Sequence, residues 1–218
     1  MPEKRTRLSP AARRAQLIAL GVDMLATRTL DELSVEEIAT QAGISRGLLF
    51  HYFASKQEFH LEVARAAAQE LIARTEPDPS LMPLDALRGA LTAFMDYVTE
   101  NPDNYKSLVR GAASGDAEMR AIFDRTRSTM AGRIISVLGG LGLPLGPRAA
   151  LATHGWVAFV EECVVRAIDD GSLDDASFRD GLLEMLTKAL PAVVLASSDE
   201  DVNTLVSILT ADQSIAAR

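Results

Sequence analysis

Residues 34–58, SVEEIATQAGISRGLLFHYFASKQE, read as two short helices meeting at a glycine corner, with a third helix beginning behind them. Ser34 and Glu37 have the spacing of a capping box, in which each side chain satisfies a backbone N–H that a helix start leaves unpaired. Val35, Ile38, Ala39 and Ala42 then share one helical face. Gly43 stands where the chain must turn sharply, and glycine enters the left-handed region there without steric cost. Ser45 is placed to cap the second helix. Its inward face would carry Leu49, Tyr52 and Phe53, and its outward face Arg46, Gly47, Phe50 and His51. Ser55 with Glu58 repeats the capping-box spacing and starts the third helix. Two helices joined steeply by three or four residues containing Gly form the unit whose second helix enters the DNA major groove.

A helix–Gly–helix corner is also ordinary packing in all-α proteins, so the corner alone decides nothing. The outward face is what argues for DNA. An Arg, a His and aromatic rings stand out from a short capped helix, with Lys56 at the next helix start. Exposed aromatics beside cations suit a groove and its phosphates.

On these residues, and on the preceding PAARRAQLIALGVDMLATRTLDELS, the stretch from about residue 8 to residue 65 resembles the tetracycline-repressor (TetR) family of bacterial transcription regulators. The resemblance implies an all-α fold, with an N-terminal three-helix DNA-binding domain followed by a larger C-terminal helical ligand and dimerisation domain. It implies a repressor that binds a pseudopalindromic operator in double-stranded DNA as a homodimer and is released by a small apolar effector. Carried onto this chain, the DNA-contact candidates are Ser45, Arg46, Gly47, Leu48, Phe50, His51, Tyr52 and Lys56. Leu48 stands where family members often have Thr, and Phe50 where Tyr is frequent. Each change removes a hydroxyl that could bond phosphate, which shifts the backbone grip toward Tyr52 and Lys56. Leu48 could instead meet a thymine methyl.

Composition supports an intracellular setting. The chain has 218 residues, 48% of them hydrophobic, enough for a proper core. A single cysteine, Cys163, excludes an intrachain disulfide framework and suits a reducing cytoplasm. The start, MPEKRTRLSP, is charged with no apolar stretch behind it, and no apolar run is long enough to span a bilayer. The expectation is therefore a cytoplasmic protein without a membrane partner. Net charge is −8, but it is unevenly spread. Residues 1–60 carry 8 Lys and Arg against 7 Asp and Glu, whereas residues 61–218 carry 14 against 23. An acidic body repels DNA and leaves the near-neutral N-terminal part, with Arg5, Arg7, Arg46 and Lys56, as the face that approaches it.

Every strong period along the chain is helical. The expected organisation is an N-terminal arm and helix-turn-helix domain over 1–56, a helical ligand and dimerisation domain over 57–198, and a tail over 199–218. Residues 1–8 read as a basic arm. Ser9 caps and Pro10 opens the first helix, whose stripe is Leu17, Ile18, Gly21, Met24 and Leu25. The helix from Ser55 runs toward Arg74, and TEPDPSLMP follows as a linker. Further helices are expected at 84–100, 104–113, 116–138, 147–169 and from Asp175 to about 196. The tail carries a stripe at Val202, Leu205, Val206 and Leu209, with its last residues expected to be disordered.

Catalysis finds no support. The histidines are His51, His60 and His154, and they form no metal-binding or di-iron motif; no glycine-rich phosphate loop occurs. No cofactor and no metal is expected. His154 reads as a core or pocket histidine, Cys163 as a small buried hydrophobe, and Glu161-Glu162 as solvated, with one carboxylate able to face a pocket. The wide apolar bands on 147–169 and 175–196 suggest a helix-bundle contact between two copies, at Gly155, Phe159, Leu182 and Leu186. The resemblance implies the same pairing, and a two-fold dimer reads two half-sites. Phe94, Met95, Tyr97, Tyr105, Met119, Phe123, Trp156 and Phe159 lie on helices that line a ligand cavity in similar proteins, and their chemistry suits an apolar or aromatic molecule. The alternative is a ligand-independent DNA-binding protein of the same fold that acts through a protein partner.

Overall fold

Ser9 begins the first helix as its spacing predicts. Its Oγ accepts the Ala12 N–H at 3.2 Å, and Pro10 takes the first position, where a missing N–H costs nothing. A computed structural model of the chain describes residues 8–103, 105, 106, 109, 116–142 and 145–197. Among them the elements are helical throughout: α1 (Pro10–Met24), α2 (Val35–Gln41), α3 (Arg46–Tyr52), α4 (Lys56–Arg74), α5 (Pro83–Glu100), α6 (Ala117–Gly140), α7 (Pro147–Asp169) and α8 (Ala176–Ser197). One-turn 3-10 segments, Leu30–Glu32 and Ser172–Asp174, precede α2 and α8. Residues 102, 103, 105, 106 and 109 are helical, while most of the helix expected at 104–113 lies outside the described residues, as do the arm at 1–7 and the tail from 198 onward.

The chain divides into two compact units. The first holds residues up to Leu71 and the described residues of 100–123; the second holds 72–99 and 124 onward. A boundary at residue 56 is therefore too early. Phe59, Leu61, Val63, Ala64 and Ala67 of α4 are buried in the same core as Leu17, Leu25, Ile38, Leu49 and Phe53, and Met119 and Ile122 of α6 join them. Sequence order hides this, because α4 and α6 each contribute residues to both units.

Within the first unit, α1 and α4 approach closely at Gly21. A Cβ there would stand 2.5 Å from Val63 Cγ2 and 3.2 Å from Phe59 Cζ, so only glycine fits. Arg14 fastens the same pair: its guanidinium donates to Glu62 Oε2 at 3.0 Å and lies 4.9 Å from the centre of the Phe53 ring. In the second unit α7 and α8 pack along their length around Trp156, Val160, Val164, Leu182, Leu186 and Leu190. Asp175 caps α8 as expected, its Oδ1 accepting the Phe178 N–H at 2.7 Å.

Candidate functional site

The corner that presents α3 is built by backbone geometry. Gly43 has φ 66°, and the Ile44 N–H then returns to the Ala39 carbonyl at 2.9 Å, closing the end of α2. Ser45 caps α3 through its Oγ, which accepts the Leu48 N–H at 3.2 Å. The expected box at Ser34 and Glu37 does not form. The Ser34 hydroxyl donates to Glu36 Oε2 at 3.1 Å, and Glu37 is taken by Arg28. At the start of α4 the box is nearly complete: Ser55 Oγ accepts the Glu58 N–H at 3.0 Å, and the Glu58 carboxylate accepts the Ala54 N–H at 2.6 Å.

The outer face of α3 carries Ser45, Arg46, Gly47, Leu48 and His51, all exposed, with Lys56 exposed at the next helix start. Phe50 departs from the expected outward pattern, while Tyr52 lies inward as expected. Both are half-buried against the core of the first unit, so Phe50 offers an edge and not a free ring. The Arg46 guanidinium lies over that ring at 5.3 Å, and its Nε meets Glu36 Oε1 at 2.7 Å. Glu36 escaped the sequence reading because it lies on α2, ten residues away. Its carboxyl sits below the usual carboxylate range, held there by backbone and Ser34 hydrogen bonds that outweigh burial, with smaller help from the Arg46 and Lys56 charges. Arg46 is thus oriented before any partner arrives. With Nε engaged, its terminal nitrogens are the pair left to point along the outer face.

The second unit contains a cavity of about 150 Å³, walled by α5, α6, α7 and α8 together with the linker after α4. Phe94, Met130, Ile134, Trp156, Val157 and Leu190 are among its walls. Of the eight sequence candidates, Phe94 and Trp156 line it. Met95 and Tyr97 are buried away from it, Tyr97 under the Arg74 guanidinium at 5.6 Å. Tyr105, Met119 and Phe123 belong to the first unit, and Phe159 is 43% exposed on the outside of α7. The fourth-residue spacing along α7 explains the split: Trp156 and Val160 turn inward while Gly155 and Phe159 turn out. Three polar lining residues, Thr75, Arg133 and Glu161, were missed or left open by sequence. Trp156 Nε1 donates to the Leu186 carbonyl at 3.3 Å, which fixes its ring as a wall.

Leu182 and Leu186 are buried inside the protomer and do not face outward. The outer face of α7 and α8 carries instead Leu151, Gly155 and Phe159, and Phe178, Gly181 and Met185; Leu151 is 73% exposed. His154 is exposed and not a pocket residue, and Cys163 is half-buried, its thiol pushed up by burial and the nearby Glu162 charge. Among the described residues no group of three His, Cys, Asp or Glu side chains could hold a metal ion, and no helix is long and apolar enough to cross a membrane.

An exposed, capped reading helix in one unit and an apolar cavity in the other define a helix-turn-helix protein with a separate helical cavity-bearing part. The chain belongs to the TetR family of bacterial transcription regulators, and not to an enzyme family: residues 17–63 match the N-terminal domain of bacterial regulatory proteins of the tetR family, and residues 83–189 match the tetracyclin repressor-like C-terminal domain. It is 36% identical over 91 residues to the HTH-type transcriptional repressor KstR2 of Mycolicibacterium smegmatis, covering 41% of this chain and 44% of that protein. It is 29% identical over 108 residues to the transcriptional activator FasR of the same organism, covering 47% and 48%. The matches to these curated relatives therefore span less than half of either protein. A tetR-family transcriptional regulator from Streptomyces coelicolor, known by crystal structure, superposes with a TM-score of 0.78 at 26% identity, covering 94% of this chain and 91% of that one.

Proposed function

We propose that the chain is a DNA-binding transcriptional repressor that works in the cytoplasm as a homodimer on a pseudopalindromic operator and is released by a small apolar effector. The observation that carries this reading is the outer face of α3, where an oriented Arg46 stands beside Gly47, Leu48 and His51 with no core role of its own. Arg46 is assigned to a guanine edge through its paired terminal nitrogens, Leu48 to a thymine methyl, His51 to a second base, and Ser45, Tyr52 and Lys56 to phosphates. The cavity supports a ligand-responsive regulator over a ligand-independent one, because a unit built only to pack has no use for an apolar space bounded by four helices. The curated relatives are named as a repressor and as an activator. The sign of regulation rests on the first of these, the more similar of the two.

The test is operator selection from a random duplex library, followed by binding of single variants. Arg46→Ala should cost about 1–3 kcal/mol on the selected site and relax one base position. Lys56→Ala should weaken all duplexes alike and flatten the dependence on salt. Equal, sequence-blind losses for both variants would remove the role assigned to Arg46.

A further inference from the structure

Among the described residues, the exposed large apolar side chains fall mainly in two groups. One is the outer face of α7 and α8, with Leu151, Phe159, Phe178 and Met185. The other gathers where α5 begins and α6 ends. Leu84 and Val137 line the cavity yet are 41% and 43% exposed, and Leu81 and Met82 stand exposed directly before α5. The cavity is therefore half open, with an apolar lip. Pro191 and Leu195, in the last turns of α8, line the same space, and α8 ends at Ser197. The chain beyond Ser197 thus departs from the cavity wall itself, within one turn of Leu195.

Residues 198–210, SDEDVNTLVSILT, carry the sequence signals of a new helix. Ser198 is a preferred capping residue, and Asp199, Glu200 and Asp201 make an acidic first turn, which favours a fresh start over a continuation of α8. Val202, Leu205, Val206 and Leu209 then recur at the spacing of one apolar helical face. A helix over 199–210 is about 18 Å long, and packed helices lie about 8–10 Å apart, so it can cross two neighbouring helix ends. The stripe and the lip are both apolar surfaces that water disfavours. The tether holds one beside the other at an effective concentration on the order of millimolar, which a second copy or a free protein seldom reaches.

We propose that residues 199–210 dock as an amphipathic helix on the lip formed by Leu81, Met82, Leu84 and Val137, closing the cavity with the tail of the same chain. Val202, Leu205, Val206 and Leu209 then face the lip, and the acidic first turn stays in water. Entry to the cavity passes through undocking of the tail.

Amide hydrogen exchange of the full chain should show residues 202–210 protected at least about ten-fold over an unstructured segment. Val137→Asp puts a charge on the lip at a site that is already exposed, and should abolish that protection while the α7 and α8 amides stay slow. Leu84→Asp repeats the test should the first variant fold poorly. From the other side, a Leu205→Asp, Val206→Asp double variant should open Trp156, the single tryptophan and a wall of the cavity, to quenching by acrylamide. Unprotected amides at 202–210 in the unaltered protein, or protection that survives both lip variants, overturns the proposal. So does protection that fades on dilution, which gives the lip to a second copy, and so does quenching unchanged in the double variant. No effector enters these measurements, so their failure leaves the effector reading standing.

Discussion

Gly47 has room for a side chain it lacks. A Cβ there would meet Ser45 Oγ at 3.9 Å and nothing nearer, and its φ is not in the left-handed range. Neither packing nor backbone conformation therefore asks for glycine; the close approach of a DNA backbone would. Gly47→Ala should leave the free protein as stable, or more stable by up to about 1 kcal/mol through helix propensity, while weakening operator binding. Thermal melts set beside gel-shift titrations separate the two effects. An alanine variant that binds as well as the original would place the first turn of α3 away from DNA. Glu36 makes the complementary case. As a carboxylate beside the reading face it repels phosphate, yet it orients Arg46. Glu36→Gln should raise affinity for random duplex and lower the ratio of operator to random binding. A ratio that stays constant in competition titrations would mean that Arg46 needs no such support.

At the scale of elements, the α1–α4 contact is the least forgiving place in the first unit. With Val63 Cγ2 2.5 Å from the site of a new Cβ, Gly21→Ala forces either helix to shift and should cost about 1–3 kcal/mol in denaturant unfolding. α4 also carries a pH-sensitive contact. His60 Nε2 lies 3.2 Å from the Leu33 carbonyl, and burial lowers its pKa from the ordinary 6.5 more than that bond raises it. The folded chain therefore prefers neutral His60, while the unfolded chain takes up a proton at the ordinary value. This contribution is complete above pH 6.5 and is lost as pH falls through the window down to the depressed folded value. Unfolding titrations across that window should show the decline, and His60→Gln should flatten it. Much of this element layer was legible: Ser9, Gly43, Ser45 and Asp175 carry local signals that do not depend on tertiary context. What escaped were pairings across elements. Ser34 lost its box because Arg28 captured Glu37, and Glu36 found Arg46 on the next helix. Met119 reads as a pocket residue by chain position, yet it packs in the first unit, because position along a helix does not say which unit a given turn joins.

For the whole molecule, the decisive question is what covers the outer face of α7 and α8. Leu151, Gly155 and Phe159 recur every fourth residue on α7, and Phe178, Gly181 and Met185 recur at helical spacing on α8, all exposed. A Cβ at Gly155 or Gly181 would meet nothing within 4 Å, so both glycines keep open surface where another backbone could come close. Such an apolar face on two packed helices is the expected contact of the proposed homodimer. Leu186 serves as the internal control, because it is fully buried in the protomer and its carbonyl accepts the Trp156 N–H. Leu186→Asp buries an unpaired charge in the protomer core, so it should unfold the second unit and abolish the Trp156 signal. Phe159→Asp places its charge on the outer face. It should yield folded monomers with native Trp156 fluorescence and operator affinity reduced to that of a single half-site. Light scattering at micromolar concentration reads the mass, and fluorescence reads the fold. A Phe159→Asp protein that stays dimeric, or an unaltered protein that is already monomeric, would move the two-fold contact elsewhere or remove it. If both variants lose the Trp156 signal together, Phe159 supports the protomer, and the outer face of α7 is not where the copies meet.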